Sequence, residues 1–223
     1  MQKYSKPLRI KHHKINLNPK KRYLGDSDVK KLLSGKVYVE EKLDGSQCGI
    51  AFKGGKPIVY TRNSHLSEYD KRVAFKGLWD WVWSNLDKVE SIPKGCRLCG
   101  EWLYVQHHVV YDKLPDYFMA FDILDERTGK LLPYKSKVAI FEALGISYAP
   151  LVLEGMATKD DIFEASQGFS NFSTVDAREG VVVKSDKSDF TGKLVAQEFL
   201  DGIEDVGHWT SIVTARFNKL GVV

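Results

Sequence analysis

The chain contains no run of about 18 apolar residues, so no segment reads as a membrane-spanning helix. Its first residues are basic and polar where a secretory leader would be apolar. Cysteine is scarce. Cys48, Cys96 and Cys99 make an odd total of three, which argues against a disulfide framework and points to a reducing, cytoplasmic setting. Cys96 and Cys99 form a CxxC followed by His107 and His108, but no second pair stands at finger-like spacing, so a structural zinc is not expected. Repeats and low-complexity segments are also lacking. Acidic residues are missing altogether from residues 1 to 25, which carry Lys3, Lys6, Arg9, Lys11, Lys14, Lys20, Lys21 and Arg22. In a chain whose net charge is only +4, this one-signed stretch favours a polyanionic partner over a uniformly basic surface. What is present is the composition of a globular chain. With 43% hydrophobic and 28% charged residues over 223 positions, it can bury a core as one large domain or two small ones.

The most informative stretch is Val37 to Gly49, VYVEEKLDGSQCG. Val37, Val39 and Glu41 alternate with Tyr38, Glu40 and Lys42 as in a strand, and Asp44-Gly45-Ser46 supplies turn chemistry just after it. Lys42 falls where the strand ends. Gly45 nearby would let a ligand approach the backbone, and a primary amine placed there suits attack on a phosphate or carbonyl. Protonation opposes that role. An unperturbed lysine titrates near pH ~10.4, so a neutral amine at pH 7 requires roughly three units, or about 4 to 5 kcal/mol. Glu40, Glu41 and Asp44 push in the wrong direction, so a nucleophilic Lys42 needs cations supplied from elsewhere.

Residues 1 to 25 look extended, with Pro7 and Pro19 as breakers. Asp26-Ser27-Asp28 can cap a short helix that stops at Gly35. Strands are expected over 47–52 and 57–62 with a Gly54-Gly55 hairpin between them, which places Lys42 at one end of a meander and Arg62 at the other. The period becomes helical from 67 to 89, where Trp79, Trp81 and Trp83 are expected to pack rather than stack on bases. Strands follow at 97–105 and 117–124, the second almost wholly apolar and therefore central. Helices are expected at 134–144 and 158–167, a short buried strand at 181–183 and another at 193–199. The tail from Asp201 onward, with Trp209, Arg216 and Asn218, shows no clear period.

Five separated pieces then fall in one order: EKLDG at 41–45, YTRN at 60–63, GEW at 100–102, FMAFDI at 118–123 and EGVVVK at 179–184, with GKLV at 192–195 as a weaker sixth. The ordered set resembles the motifs of the covalent nucleotidyltransferases, which include DNA ligases, RNA ligases and mRNA-capping guanylyltransferases. The resemblance implies an α+β nucleotidyltransferase fold, two antiparallel sheets with flanking helices and a nucleotide cleft between them. It also implies roles for individual residues. Lys42 would attack the α-phosphorus of ATP and carry AMP as a phosphoramidate, with Asp44 and Lys193 completing the catalytic set. Glu41 would frame the adenine edge through its backbone, Glu101 would accept a ribose hydroxyl, and Phe121 would stack on the purine. Arg62 would hold phosphate, with Gly45 and Lys184 also at the nucleotide. Glu179 would position Mg²⁺ or Mn²⁺, and that metal together with Lys193 would be the cations Lys42 requires.

Within the superfamily, DNA ligases and capping enzymes usually read KxDGxR, whereas Ser46-Gln47 follows the glycine here; capping enzymes also usually carry Asp where this chain has Glu179. Both features are similar to RNA ligases. The implied activity is ATP-dependent joining of RNA 5′-phosphate and 3′-hydroxyl ends, at a nicked duplex or otherwise, with residues 3 to 22 and Arg62 on the RNA backbone. The alternatives are a minimal DNA nick ligase and a non-catalytic nucleotide- or RNA-binding module of the same fold. About thirty residues follow Lys193, too few for an appended OB domain, so one nucleotidyltransferase domain is expected over 1–223. One departure stands out: the last motif is commonly KxK, but Val195 follows Lys193-Leu194, which leaves Lys184 and Arg216 as candidates for the second cation.

Overall fold

In chain order the elements are β1 (Leu8–Arg9), α1 (Asp26–Leu32), β2 (Val37–Glu41), β3 (Ser46–Lys53), β4 (Lys56–Thr61), a 3₁₀ turn (Val73–Phe75), α2 (Leu78–Ser84), α3 (Leu86–Glu90), β5 (Cys96–Trp102), β6 (Phe118–Asp125), α4 (Tyr134–Leu144), β7 (Leu151–Gly155), α5 (Lys159–Ser166), β8 (Gly180–Ser185), β9 (Gly192–Val195) and α6 (Gln197–Val206). They come from a computed structural model that describes residues 2–186, 191–206 and 215–221; Trp209 lies outside these. No helix among the described residues is long and apolar enough to cross a membrane.

Two sheets form, one in the order β1-β9-β8-β2-β7 and the other β4-β3-β5-β6. All pairings are antiparallel except that of β1 with β9, which is parallel. The first sheet is therefore mixed at one edge, while every other strand pairing in the two sheets is antiparallel, as expected.

Alternation fixes what each strand offers to either face. Val37 and Val39 of β2, Val181 and Val183 of β8, and Leu194 of β9 pack with Ile10, Val29, Leu32 and Ile162 in a core under α1 and α5. The opposite face of the same strands carries Glu40, Val182, Lys184 and Lys193 toward the second sheet. That second sheet packs Ile50, Val59, Leu98 and Ile123 against Leu78, Val82, Val89 and Phe141 of the helices behind it. Each sheet has one greasy, helix-covered face and one polar face, and the two polar faces enclose a cleft.

Local chemistry explains most boundaries. Gly54 and Gly55 both have positive φ, 58° and 75°, as the tight β3–β4 hairpin demands. Thr158 caps α5 through a reciprocal capping box with Asp161. The helix expected over 67–89 breaks into a 3₁₀ turn and two short helices meeting at Asn85. α1 begins at Asp26, so Asp26 and Asp28 sit in its first turn and complement the helix dipole rather than cap it. β7 had no alternating signature. It is an edge strand with exposed Leu151, held in place by β2.

Candidate active site

The cleft is lined by Tyr4, Lys6 and Pro7 from the N-terminal arm, by Glu40 to Leu43 at and just past the end of β2, and by Gln47, Arg62, Glu101, Phe121, Val182, Lys184 and Lys193. Residues from the ordered motifs thus meet across long sequence distances. Lys42 lies one residue past β2, where its N–H still donates to the Gly180 carbonyl at 2.9 Å. Its ammonium is paired with the Glu179 carboxylate. Burial would lower the Lys42 pKa, but the charges of Glu179, Glu101 and Asp44 and the Glu179 hydrogen bond outweigh it, and the net shift is upward. Held this way the amine is a cation, not a poised nucleophile.

Glu179 is aimed by the glycine that follows it. Gly180 has φ 147°, and a Cβ there would stand 2.2 Å from the Leu194 carbonyl oxygen. Only glycine lets β8 start this close to β9 and present Glu179 to the cleft. Burial pushes the Glu179 carboxyl up against the opposing pull of Lys42. Glu101, on β5 just after the register shift at Cys99/Gly100, is raised by burial to about 8, with Lys42 pulling down and Glu179 and Asp44 pushing up. Lys193 is lowered to about 7, first by burial and then by the like charges of Lys42 and Lys6. The cleft therefore crowds cations beside carboxyls that burial disfavours as anions, an arrangement that an anionic ligand with a metal ion would relax.

Phe121 lines the cleft from β6. Its carbonyl accepts from Lys184 at 2.7 Å and Lys137 at 2.5 Å, which fixes the backbone beneath its ring. Arg62 follows β4 and donates from Nε to Gln47 Oε1 at 3.1 Å. Glu41 is among the residues that line the cleft. Its carboxylate points the other way, to the Ser170 hydroxyl at 2.5 Å and the Asn171 N–H at 2.9 Å, and its own N–H donates to the Pro150 carbonyl.

Two expected residues, Asp44 and Gly45, do not line the cleft, and a third, Lys184, lines it with its charge already paired. Asp44 sits within electrostatic reach of Lys42, but its Oδ2 accepts the His108 and Val109 N–H groups at 2.7 and 3.0 Å, so it anchors the β5–β6 loop. A Cβ on Gly45 would meet the Trp102 carbonyl at 2.6 Å and Leu103 at 2.5 Å; the close approach this glycine permits is that of β5, not of a ligand. Lys184, one candidate for the second cation, lines the cleft, with its ammonium held by Asp122 at 2.8 Å and Glu40 at 2.5 Å as well as by the Phe121 carbonyl. Arg216, the other candidate, is exposed and does not line the cleft. Tyr4, which the sequence did not single out, and Lys6, expected only as part of the basic run, also line it. The Tyr4 hydroxyl donates to Asp122 Oδ2 at 2.6 Å and its ring lies 5.4 Å from that of Phe121. Their only sequence signal was the run of basic residues around them, which says nothing about where the arm docks.

Away from the cleft, His12, His13 and Asp160 bring three potential metal ligands together. His12 Nδ1 accepts the Lys14 N–H, which leaves the proton on Nε2 to be donated to Asp160 at 2.9 Å, a pairing that needs no ion.

Comparison with known proteins agrees with this geometry. The family model described as RNA ligase matches residues 35–196. Structures of a Naegleria gruberi RNA ligase superpose with TM-scores of 0.60 for a variant with ATP and Mn and 0.63 for one with AMP and Mn; both are 20% identical and cover 77% and 80% of this chain, but only 52% and 55% of theirs. An uncharacterized Methanocaldococcus jannaschii protein, MJ0414, is 27% identical over 165 residues, 70% of this chain and 39% of its own length. The chain thus spans about half the length of the solved structures it resembles. With the motifs of residues 41–195 gathered at one cleft between two sheets, and a family model matching across that region, the chain belongs to the RNA ligase family.

Proposed function

We propose that this protein is an ATP-dependent RNA ligase working through a covalent lysyl-AMP on Lys42. The observation that carries the reading is the burial of Lys42 at the end of β2, paired to Glu179, in a cleft that also holds Glu101, Phe121, Arg62 and Lys193. The Naegleria structures with ATP or AMP and Mn support a nucleotide in this fold's cleft.

In the first step the Lys42 Nζ lone pair attacks the α-phosphorus, an N–P bond forms, and the bond from that phosphorus to the departing pyrophosphate breaks. The proton of the ammonium has to leave beforehand, and it leaves more readily once Glu179 no longer pairs with it, since Glu179 is the first of the charges that raise its pKa. Lys193 faces the same space and stabilises charge on the phosphate. Phe121 supplies an apolar face for the purine and Glu101 a partner for a ribose hydroxyl. AMP then passes to an RNA 5′-phosphate, and a neighbouring 3′-hydroxyl displaces it to form the phosphodiester. The carboxylate of Glu179 offers oxygen donors of the kind that suit Mg²⁺ or Mn²⁺, and it would be the protein ligand. When bound, such an ion would supply positive charge beside the phosphates.

The test is intact-mass measurement after incubation with ATP and Mg²⁺. The protein is expected to gain one AMP and the Lys42→Ala variant none; labelling that persists in that variant removes Lys42 from the mechanism. Substitution by GMP from GTP would point to capping chemistry. No mass gain with either nucleotide would point to a binding module. Parallel end-joining assays on nicked RNA, single-stranded RNA and nicked DNA separate an RNA ligase from a DNA nick ligase.

A further inference from the structure

The last motif lacks its usual second lysine. β9 shows what stands there instead: alternation puts Val195 on the same face as Lys193, buried and apolar. Of the two spare cations that the sequence offered, Lys184 lines the cleft with its charge already paired to Asp122 and Glu40, and Arg216 is exposed and not among the lining residues. The N-terminal arm, by contrast, docks directly beside the motif. β1 runs parallel to β9 with Leu8 opposite Gly192 and Arg9 opposite Lys193, and the Ile10 N–H donates to the Lys193 carbonyl at 2.8 Å. Two residues upstream of β1 the chain turns into the cleft, where Lys6 and Pro7 join Lys42, Arg62 and Lys193 in its wall, and Tyr4 fastens the arm to Asp122 against Phe121.

We propose that Lys6 is the missing phosphate-binding cation, delivered to the nucleotide by the arm in place of a second lysine on β9. This extends the ligase reading above by adding a residue to the same site. The surrounding charge fits. Burial lowers the Lys6 pKa, and the like charges of Arg62, Lys42, Lys21 and Arg9 lower it further. Cations held this close repel one another until an anion sits between them, and a polyphosphate is an anion of the right charge and reach. The arm would then be part of the nucleotide site and not only a contact for the RNA backbone.

The experiment uses the full chain and a nucleotide that binds without reacting, α,β-methylene-ATP with Mg²⁺, whose bridging carbon prevents loss of pyrophosphate. Calorimetry compares its affinity, and that of adenosine, for the unmodified protein, Lys6→Ala, Lys6→Arg and the exposed hairpin control Lys56→Ala. Lys6→Ala is expected to bind the analogue about tenfold more weakly, the size of one charge-assisted hydrogen bond. Lys6→Arg should recover most of that loss, while adenosine affinity and the Lys56→Ala control stay unchanged. A Lys6→Ala affinity equal to that of Lys56→Ala overturns the proposal, and so does an equal loss for adenosine, because a merely structural arm would affect both ligands. Analogue binding that depends on Lys6 in a protein that takes up no AMP would sink the ligase reading and leave this one standing. No binding by the unmodified protein would end both.

Discussion

β2 ends in Glu40 and Glu41 and is followed at once by Lys42, and Glu40 and Lys42, both in the cleft wall, enter ion clusters of opposite design. Glu40 joins Asp122, Lys137 and Lys184 in a group with two carboxylates and two ammoniums, sealed at one side by the Tyr4 hydroxyl. Its charges balance within the protein. Lys42 joins Glu179, Glu101, Lys193, Lys6 and Arg62, where the carboxyls are raised by burial and the cations outnumber them. Burial lowers a lysine in each group, Lys137 to about 8 and Lys193 to about 7, so titration alone does not separate them. The count of opposite charges does. A balanced cluster holds the floor under Phe121, and an unbalanced one is left for a ligand to complete.

The comparison is broken most severely at Lys42. Lys42→Arg keeps a cation for Glu179 but no usable nucleophile, so AMP labelling should vanish while the thermal midpoint barely moves; a large fall in that midpoint would mean that this cluster, too, is structural. Lys137→Met tests the other side. It leaves two buried carboxylates facing one ammonium, and unfolding in denaturant should show a loss of about 3–5 kcal/mol, the usual consequence of breaking a buried ion pair. A neutral result would place Lys137 outside the scaffold.

Lys193→Met separates the clusters more finely. A lysine lowered from its ordinary value to about 7 is protonated less readily in the folded chain than in the unfolded one, so its charge opposes folding fully below pH 7 and stability rises with pH between about 7 and 10.5. Removing it should therefore cost no stability at neutral pH. At about pH 8 the side chain is mostly neutral, and a phosphate beside it should draw a proton in. Nucleotide binding, measured calorimetrically in buffers of different ionisation enthalpy, should show an uptake of up to about one proton that the variant lacks. The smallest effect belongs to the residue on the opposite face of β2. Ser170→Ala removes one of the hydrogen bonds to Glu41 and should lower stability by about 1 kcal/mol with AMP labelling intact.

Much of the scaffold was legible in advance. Gly54-Gly55 and Thr158 gave the hairpin and the start of α5 because their signals are local, a backbone conformation and a cap, whereas the apolar run of β6, expected to be central, stands at the edge of its sheet beside β5 and is buried by what packs over it. β1 and β7 were missed for the complementary reason. Both are edge strands whose pairing depends on neighbours far along the chain, and neither has enough alternation to announce itself. The same distinction runs through the site. Lys184 and Lys193 look alike in sequence, each on a short strand after a glycine, yet the register of β8 against β2 carries one to Glu40 and Asp122 while β9 holds the other at the cleft.

That Lys42 falls where a strand gives way to a turn, and that the ordered motifs lie on strands and turns, follows from the residues alone, because period-two alternation and turn chemistry are written over a few residues. Only the tertiary structure decided that Glu179, 137 residues away, would be the carboxylate that holds this amine, that Asp44 would anchor a loop, and that Lys6 would enter the cleft. The physical reason is range. Strand propensity acts between adjacent residues, whereas Coulomb energy and desolvation depend on distances that exist only once remote strands are paired and water has been excluded between the two sheets.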